Sequence, residues 1–140
     1  MNVQKQIENY IASQPENKRN DMQALHQLAL QALPDCKLWF LDGKDSDGHI
    51  VSNPSIGYGS YTIKYADGTT REFYRVGLSA NKTGISVYIM GLKDKTYLAQ
   101  TYGDKIGKAN VSGYCIKFKK LSDINIDTMD AAMRYGFESA

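Results

Sequence analysis

Cys115 is the residue whose type best suits covalent chemistry. It stands in the run Gly113-Tyr114-Cys115-Ile116-Lys117. A thiol attacks only when a base beside it takes its proton. The chain has two histidines, His26 and His49, and both lie far from Cys115 along the sequence. The expectation is therefore a small buried or half-buried thiol. Asp42, Asp45, Asp47 and His49 form the second group, since carboxylates and imidazole bind metal ions. Asp45-x-Asp47-Gly48 matches part of a calcium-loop pattern. Setting Gly48 at the central glycine, however, puts Gly43 at the first ligand position and Pro54 where the bidentate Glu belongs. A polar hairpin loop is the reading kept, and no metal site is expected.

Other motifs carry less. Gly103-Asp104-Lys105-Ile106-Gly107-Lys108 lacks the spacing of a phosphate-cradling Walker loop, and no Ser or Thr follows Lys108. A glycine there is expected to cap a helix, with the lysines complementing the negative end of its dipole. His26, between Leu25 and Leu28, reads as a helix-surface or boundary residue. No Ser-His-Asp grouping, paired-carboxylate motif or dinucleotide fingerprint stands out. Catalytic residues and cofactors are thus not expected.

These residues are positioned by elements with clear periodicities. Val3, Ile7, Tyr10 and Ile11 recur at helical spacing, and so do Met22, Leu25, Leu28, Ala29, Ala32 and Leu33. Pro15 separates the two helices, and Pro34 stops the second. Lys37 to Leu41 reads as a strand, and the segment from Asp42 to Pro54 as a loop. Gly59 to Tyr65 and Thr70 to Leu78 alternate in polarity around the Asp67-Gly68 turn. Gly84 to Met90 is apolar enough for a central strand. Thr96 to Ile106 reads as a helix, Val111 to Lys119 as the last strand, and Asp123 to Phe137 as the final helix. The expected fold is one α+β domain spanning residues 1–140: an antiparallel sheet of five or six strands with N- and C-terminal helices packed on one face.

Alternation then assigns the two faces of the sheet. Tyr61, Ile63, Tyr74, Val76, Ile85, Val87, Ile89, Tyr114, Ile116 and Phe118 are expected toward the helices. Thr62, Lys64, Phe73, Arg75, Ser86, Tyr88, Met90, Cys115 and Lys117 are expected on the free face. Among these, Phe73, Arg75, Tyr88, Cys115 and Lys117 form the candidate ligand site. Cations favour anionic groups and aromatics favour flat rings, so the face suits a small anionic or aromatic ligand or a protein partner.

Composition narrows the classes. The net charge is +2, small for a surface that must neutralise many phosphates, so nucleic acid is not expected as the main partner. Yet residues 105–120 hold five lysines and no acid. No apolar run approaches the ~20 residues of a membrane span. The polar N-terminal stretch does not read as an export signal, so a cytoplasmic location with reduced cysteines is expected. The ten tyrosines suit a sheet with half-buried aromatic positions.

Two segments carry a family resemblance. Ser55-Ile56-Gly57-Tyr58-Gly59-Ser60-Tyr61 and the run from Gly113 to Ile124, with its Lys120-Leu121-Ser122-Asp123-Ile124 end, resemble the YdhG-like family of uncharacterised bacterial domains. The likeness covers roughly residues 55–137. It implies a frataxin-like fold and, as an alternative function, intracellular iron delivery. It implies no catalytic residue. The family's usual Trp-Gly pair before the Ser-Ile segment is not kept, because Trp39 is followed by Phe40 and a polar loop. Frataxins carry an acidic ridge on the first helix and neighbouring strand, whereas the first helix here offers only Glu8.

Overall fold

The computed structural model describes residues 2–138. Helix α1 (Val3–Ala12) starts at Asn2, whose side-chain oxygen accepts the Lys5 N–H at 2.8 Å. That bond satisfies one of the donors every helix start leaves free. Pro15 stands at the N-cap of α2 (Glu16–Ala32), which ends just before Pro34. Ile7, Tyr10 and Ile11 form the buried stripe of α1, and Met22, Leu25 and Ala29 that of α2. Both stripes turn toward one sheet.

The strands are β1 (Leu38–Leu41), β2 (Ser55–Tyr58), β3 (Tyr61–Lys64), β4 (Thr70–Phe73), β5 (Val76–Ala80), β6 (Ile85–Ile89), β7 (Asn110–Val111) and β8 (Cys115–Phe118). Six of them make an antiparallel sheet in the order β1-β2-β5-β6-β8-β7, and β3 with β4 makes a separate two-stranded ribbon. Between β6 and β7 lies the short helix α3 (Tyr97–Tyr102), and α4 (Ile126–Glu138) is the last element among the described residues.

Cross-strand pairing explains the core. Ile56, Leu78, Val87 and Ile116 lie in one row across four strands, with Tyr58, Val76 and Ile89 in the next. All seven are fully buried under the helices. Burying each such side chain contributes roughly 1.5–3 kcal/mol. Helix α4 turns Met129, Ala132, Met133 and Gly136 inward. Gly136 permits its close approach, since a Cβ there would meet Ile89 Cγ2 at 2.9 Å and Val76 Cγ2 at 3.1 Å.

The expected class and layering are observed. One expected strand is shortened and two are divided, however. The chain breaks at Gly59, which takes a left-handed φ of 73°, so the ribbon strand β3 begins only at Tyr61. Thr70 to Leu78 is interrupted at Tyr74 and Arg75, which join the ribbon to the main sheet. Val111 to Lys119 is a hairpin of β7 and β8. Helix α3 covers only the first part of its expected range, with Gly103 as its C-cap, and a 3-10 turn at Leu121–Asp123 precedes α4.

Candidate functional site

The free face of the main sheet has an unusually low floor. One row carries Trp39, Gly57, Gly77, Tyr88 and Cys115, and the next includes Ser79, Ser86, Lys117 and Asn110. Gly57 and Gly77 pair across β2 and β5. The ring of Tyr74 lies over both of them: a Cβ on Gly57 would fall 2.7 Å from Tyr74 Cγ, and one on Gly77 would fall 2.8 Å from Tyr74 Cζ. Burial pushes the Tyr74 phenol above its usual range, and the Ser55 hydroxyl bonded to it partly offsets that rise. Ser55, Ser79 and Ser86 are buried, and Ser79 Oγ donates to the Pro54 carbonyl at 2.6 Å.

Above this floor runs an open groove. Its polar half, of about 820 Å³, lies over Ser86, Cys115 and Lys117, with Asn81, Lys82 and Asn110 on the rim. Its aromatic half, of about 510 Å³, lies over Ser55 and Tyr74, flanked by Phe73 and Met90. Asn53, Tyr88 and Tyr114 border both halves. Tyr88 and Tyr114 stack with centroids 6.0 Å apart and planes 29° apart. Phe73 stacks on Tyr74 at 4.2 Å, and Trp39 sits tilted 6.2 Å from Phe73. Both volumes fall in the usual range of small-molecule sites.

The groove holds little nucleophilic power. Burial pushes the Cys115 thiol up, while the Ser86 hydroxyl and the Lys117 charge pull it partly back. A thiol so placed stays protonated near neutral pH. Neither histidine stands by to activate it. His26 is on the helix side, with Nδ1 2.6 Å from the hydroxyl of the buried Tyr58. His49 lies in the loop between β1 and β2. There Asp45, Asp47 and His49 hold potential ligand atoms within 4.8 Å of one another, all exposed. Asp45 Oδ1 accepts the N–H groups of Asp47 and His49, each at 2.9 Å, which closes the loop tip.

Of the residues expected at the site, Tyr88, Cys115 and Lys117 meet on the free face together with Ser86 and Met90. Phe73 reaches the groove from the end of the ribbon. Arg75 does not belong there. Its Nε donates to the Ser60 carbonyl at 2.8 Å and its Nη1 to the Gly136 carbonyl at 3.4 Å, in the last turn of α4. A cation there complements the negative end of the helix dipole. The cause is the break at Tyr74 and Arg75, which ends the alternation expected through them. Thr62 and Lys64 are corrected likewise: both are exposed on the ribbon, outside the main sheet.

Tyr74 and Tyr114 are corrected in the opposite direction. Both were expected toward the helices, and both border the groove on the other side. Tyr114 is 54% exposed, because it precedes β8 at a bend rather than within the ladder. Trp39, Asn81 and Asn110 went unnoticed in the sequence as parts of this face. The signal for the aromatic half was the pair Gly57 and Gly77, which leaves room for a ring, but it becomes visible only once β2 is known to pair with β5.

No helix of the described residues is long and apolar enough to cross a membrane. No family model matches the chain, and no curated protein or solved structure does either.

Proposed function

We propose that the chain is a non-catalytic binding module whose free sheet face takes a small ligand combining an anionic group with a flat ring. One observation carries this reading: a single groove joins a lysine-bearing polar half to an aromatic half, with the Tyr88–Tyr114 stack at the junction. Rings stack on tyrosine faces, and lysine attracts the anion. Small side chains at Ser55 and Ser86 line the groove, and the Tyr74 ring, seated over Gly57 and Gly77, gives its aromatic half an apolar surface. The protonated thiol of Cys115 and the distant histidines support binding over catalysis.

Iron delivery of the frataxin kind is the rival. It calls for a ridge of carboxylates on α1 and its neighbouring strand. Helix α1 carries Glu8 alone, 3.9 Å from Lys5, and this favours the groove reading.

A thermal-shift screen with anionic aromatic metabolites and with ferrous iron tests the proposal. A ligand of the native state present at a hundredfold its Kd adds about 2.7 kcal/mol to apparent stability. The expected result is a rise in melting temperature with an anionic aromatic compound, abolished by Tyr88→Ala. A rise with micromolar ferrous iron and with none of the organic compounds overturns the proposal in favour of the chaperone.

A further inference from the structure

We infer that the groove takes a nucleoside polyphosphate, its base stacked on Tyr114 and its phosphates on a belt of lysines beyond Lys117. This rests on the binding reading above and names its ligand class.

The belt is assembled by the fold. Lys82 and Lys117 line the polar half of the groove. An adjoining hollow of about 490 Å³ holds Lys117 with Lys108 and Lys119. A third, of about 320 Å³, holds Lys119 with Lys18 and Lys120. Each hollow shares a lysine with the next, so the six cations form a continuous path. They come from α2, the β5–β6 turn, the segment before β7, β8 and the two residues after it. Among the described residues, none of the six has a carboxylate within ion-pair distance. Lys18 Nζ donates to the Asn81 carbonyl at 2.6 Å, which leaves its charge uncompensated. Asp21 borders the third hollow, with its Oδ2 accepting the Leu121 N–H at 3.0 Å.

Six like charges gathered on one edge repel one another, and an anion threaded among them removes that repulsion. One phosphate fills only a part of such a path, whereas a chain of phosphates follows it. Lysine binds phosphate as a point charge, so a row of lysines suits a row of charged groups. The belt therefore fits a run of phosphates better than a single carboxylate.

The other half of the ligand follows from the spacing. The Tyr88–Cys115 row and the Ser86–Lys117 row are two residues apart along β6 and β8. That step is about 6.8 Å in an antiparallel sheet, room for one sugar between ring and phosphate. Tyr114 offers an exposed ring face beside Tyr88. Asn110 and Ser112 on the rim present an amide and a hydroxyl suited to sugar hydroxyls. Stacking reads any base alike, so adenine and guanine forms are expected to bind equally.

Isothermal titration of the full chain with ATP, GTP, AMP, adenosine and tripolyphosphate tests this. ATP and GTP are expected to bind equally, with AMP and tripolyphosphate each weaker by about tenfold or more. Raising the salt to a physiological level should weaken ATP through screening. Tyr114→Ala should lower ATP to the level of tripolyphosphate and leave tripolyphosphate unchanged. Lys82→Ala combined with Lys117→Ala should weaken both alike. All three side chains are exposed, so unchanged melting of the free variants separates lost binding from lost folding. ATP binding no tighter than tripolyphosphate, or no binding of either, overturns the inference. If ATP fails while a phosphate-free anionic aromatic compound still raises the melting temperature through Tyr88, only the ligand class falls. If no compound does so, the binding reading falls with it.

Discussion

The ring of Tyr74 occupies the space that a side chain at Gly57 would need. A Cβ on Gly57 would fall 2.7 Å from both Tyr74 Cβ and Cγ. These atoms sit at the root of the side chain and cannot swing away. Gly57→Ala should therefore destabilise the fold by about 1–3 kcal/mol through overpacking. Combining it with Tyr74→Ala should cost less than the sum of the two single changes, because Cγ and the ring leave the clash and only the contact with Cβ remains. Urea denaturation of the four proteins in this cycle checks it. Strict additivity would show that the ring is not what excludes the side chain.

His26 and Tyr58 give a pH dependence with a defined sign. Burial holds the His26 pKa below its ordinary 6.5, and burial raises the Tyr58 phenol well above 10.0. Tyr58 thus keeps its proton, and its hydroxyl shares a hydrogen bond with Nδ1 of the neutral imidazole. Since the folded His26 binds its proton less readily than the unfolded one, stability is fully present above pH 6.5 and is lost as pH falls toward the depressed value. His26→Gln should flatten that part of the stability curve. Chemical denaturation at several pH values from neutral to mildly acidic measures it. A wild-type curve that stays parallel to the variant throughout would contradict the assignment.

The thiol of Cys115 should react slowly. Its pKa is raised by burial and partly lowered by Ser86 and Lys117. In a Cys36→Ser background, alkylation by iodoacetamide near neutral pH should lag behind a free cysteine and accelerate as pH rises. Lys117→Ala removes the stabilising charge and should slow the reaction further. Mass spectrometry of the modified peptide over time follows the rate. A rate at neutral pH above that of free cysteine would put a catalytic thiol back in consideration.

How much of this was legible depended on unbroken ladders. Ile85, Val87 and Ile89, or Ile116 and Phe118, sit within continuous pairing, so period-two reading assigned their faces correctly. Arg75 and Tyr114 lie just outside a strand, where a bend re-aims the side chain and alternation has no force. Tyr74 fails for a second reason. A buried ring on the free face and a buried ring in the core look alike in sequence, and only the pairing of Gly57 with Gly77 tells them apart. Four of the six belt lysines were visible in the run from Lys105 to Lys120. Lys18 and Lys82 joined it through tertiary structure alone.

Lys117 and Phe118 are neighbours in sequence and point to opposite faces of β8, which makes them a direct test of register. Phe118 is 4% exposed and pairs with Ile85 on the helix side. Phe118→Ala should cost about 3–5 kcal/mol, the transfer energy of the ring plus the cavity it leaves. That is a large share of the roughly 5–15 kcal/mol that holds a domain together, so the variant should melt far below the parent. Lys117 pairs with Ser86 and Asn110 on the groove side and is exposed. Lys117→Ala should shift stability by no more than about 0.5 kcal/mol. Its effect should appear instead in ligand binding, as the loss of a charge-assisted contact worth about 1.5–3 kcal/mol. Thermal melts and ligand titrations on the two variants separate these outcomes. A one-residue slip in β8 would reverse them, with Lys117→Ala unfolding the protein and Phe118→Ala leaving it stable.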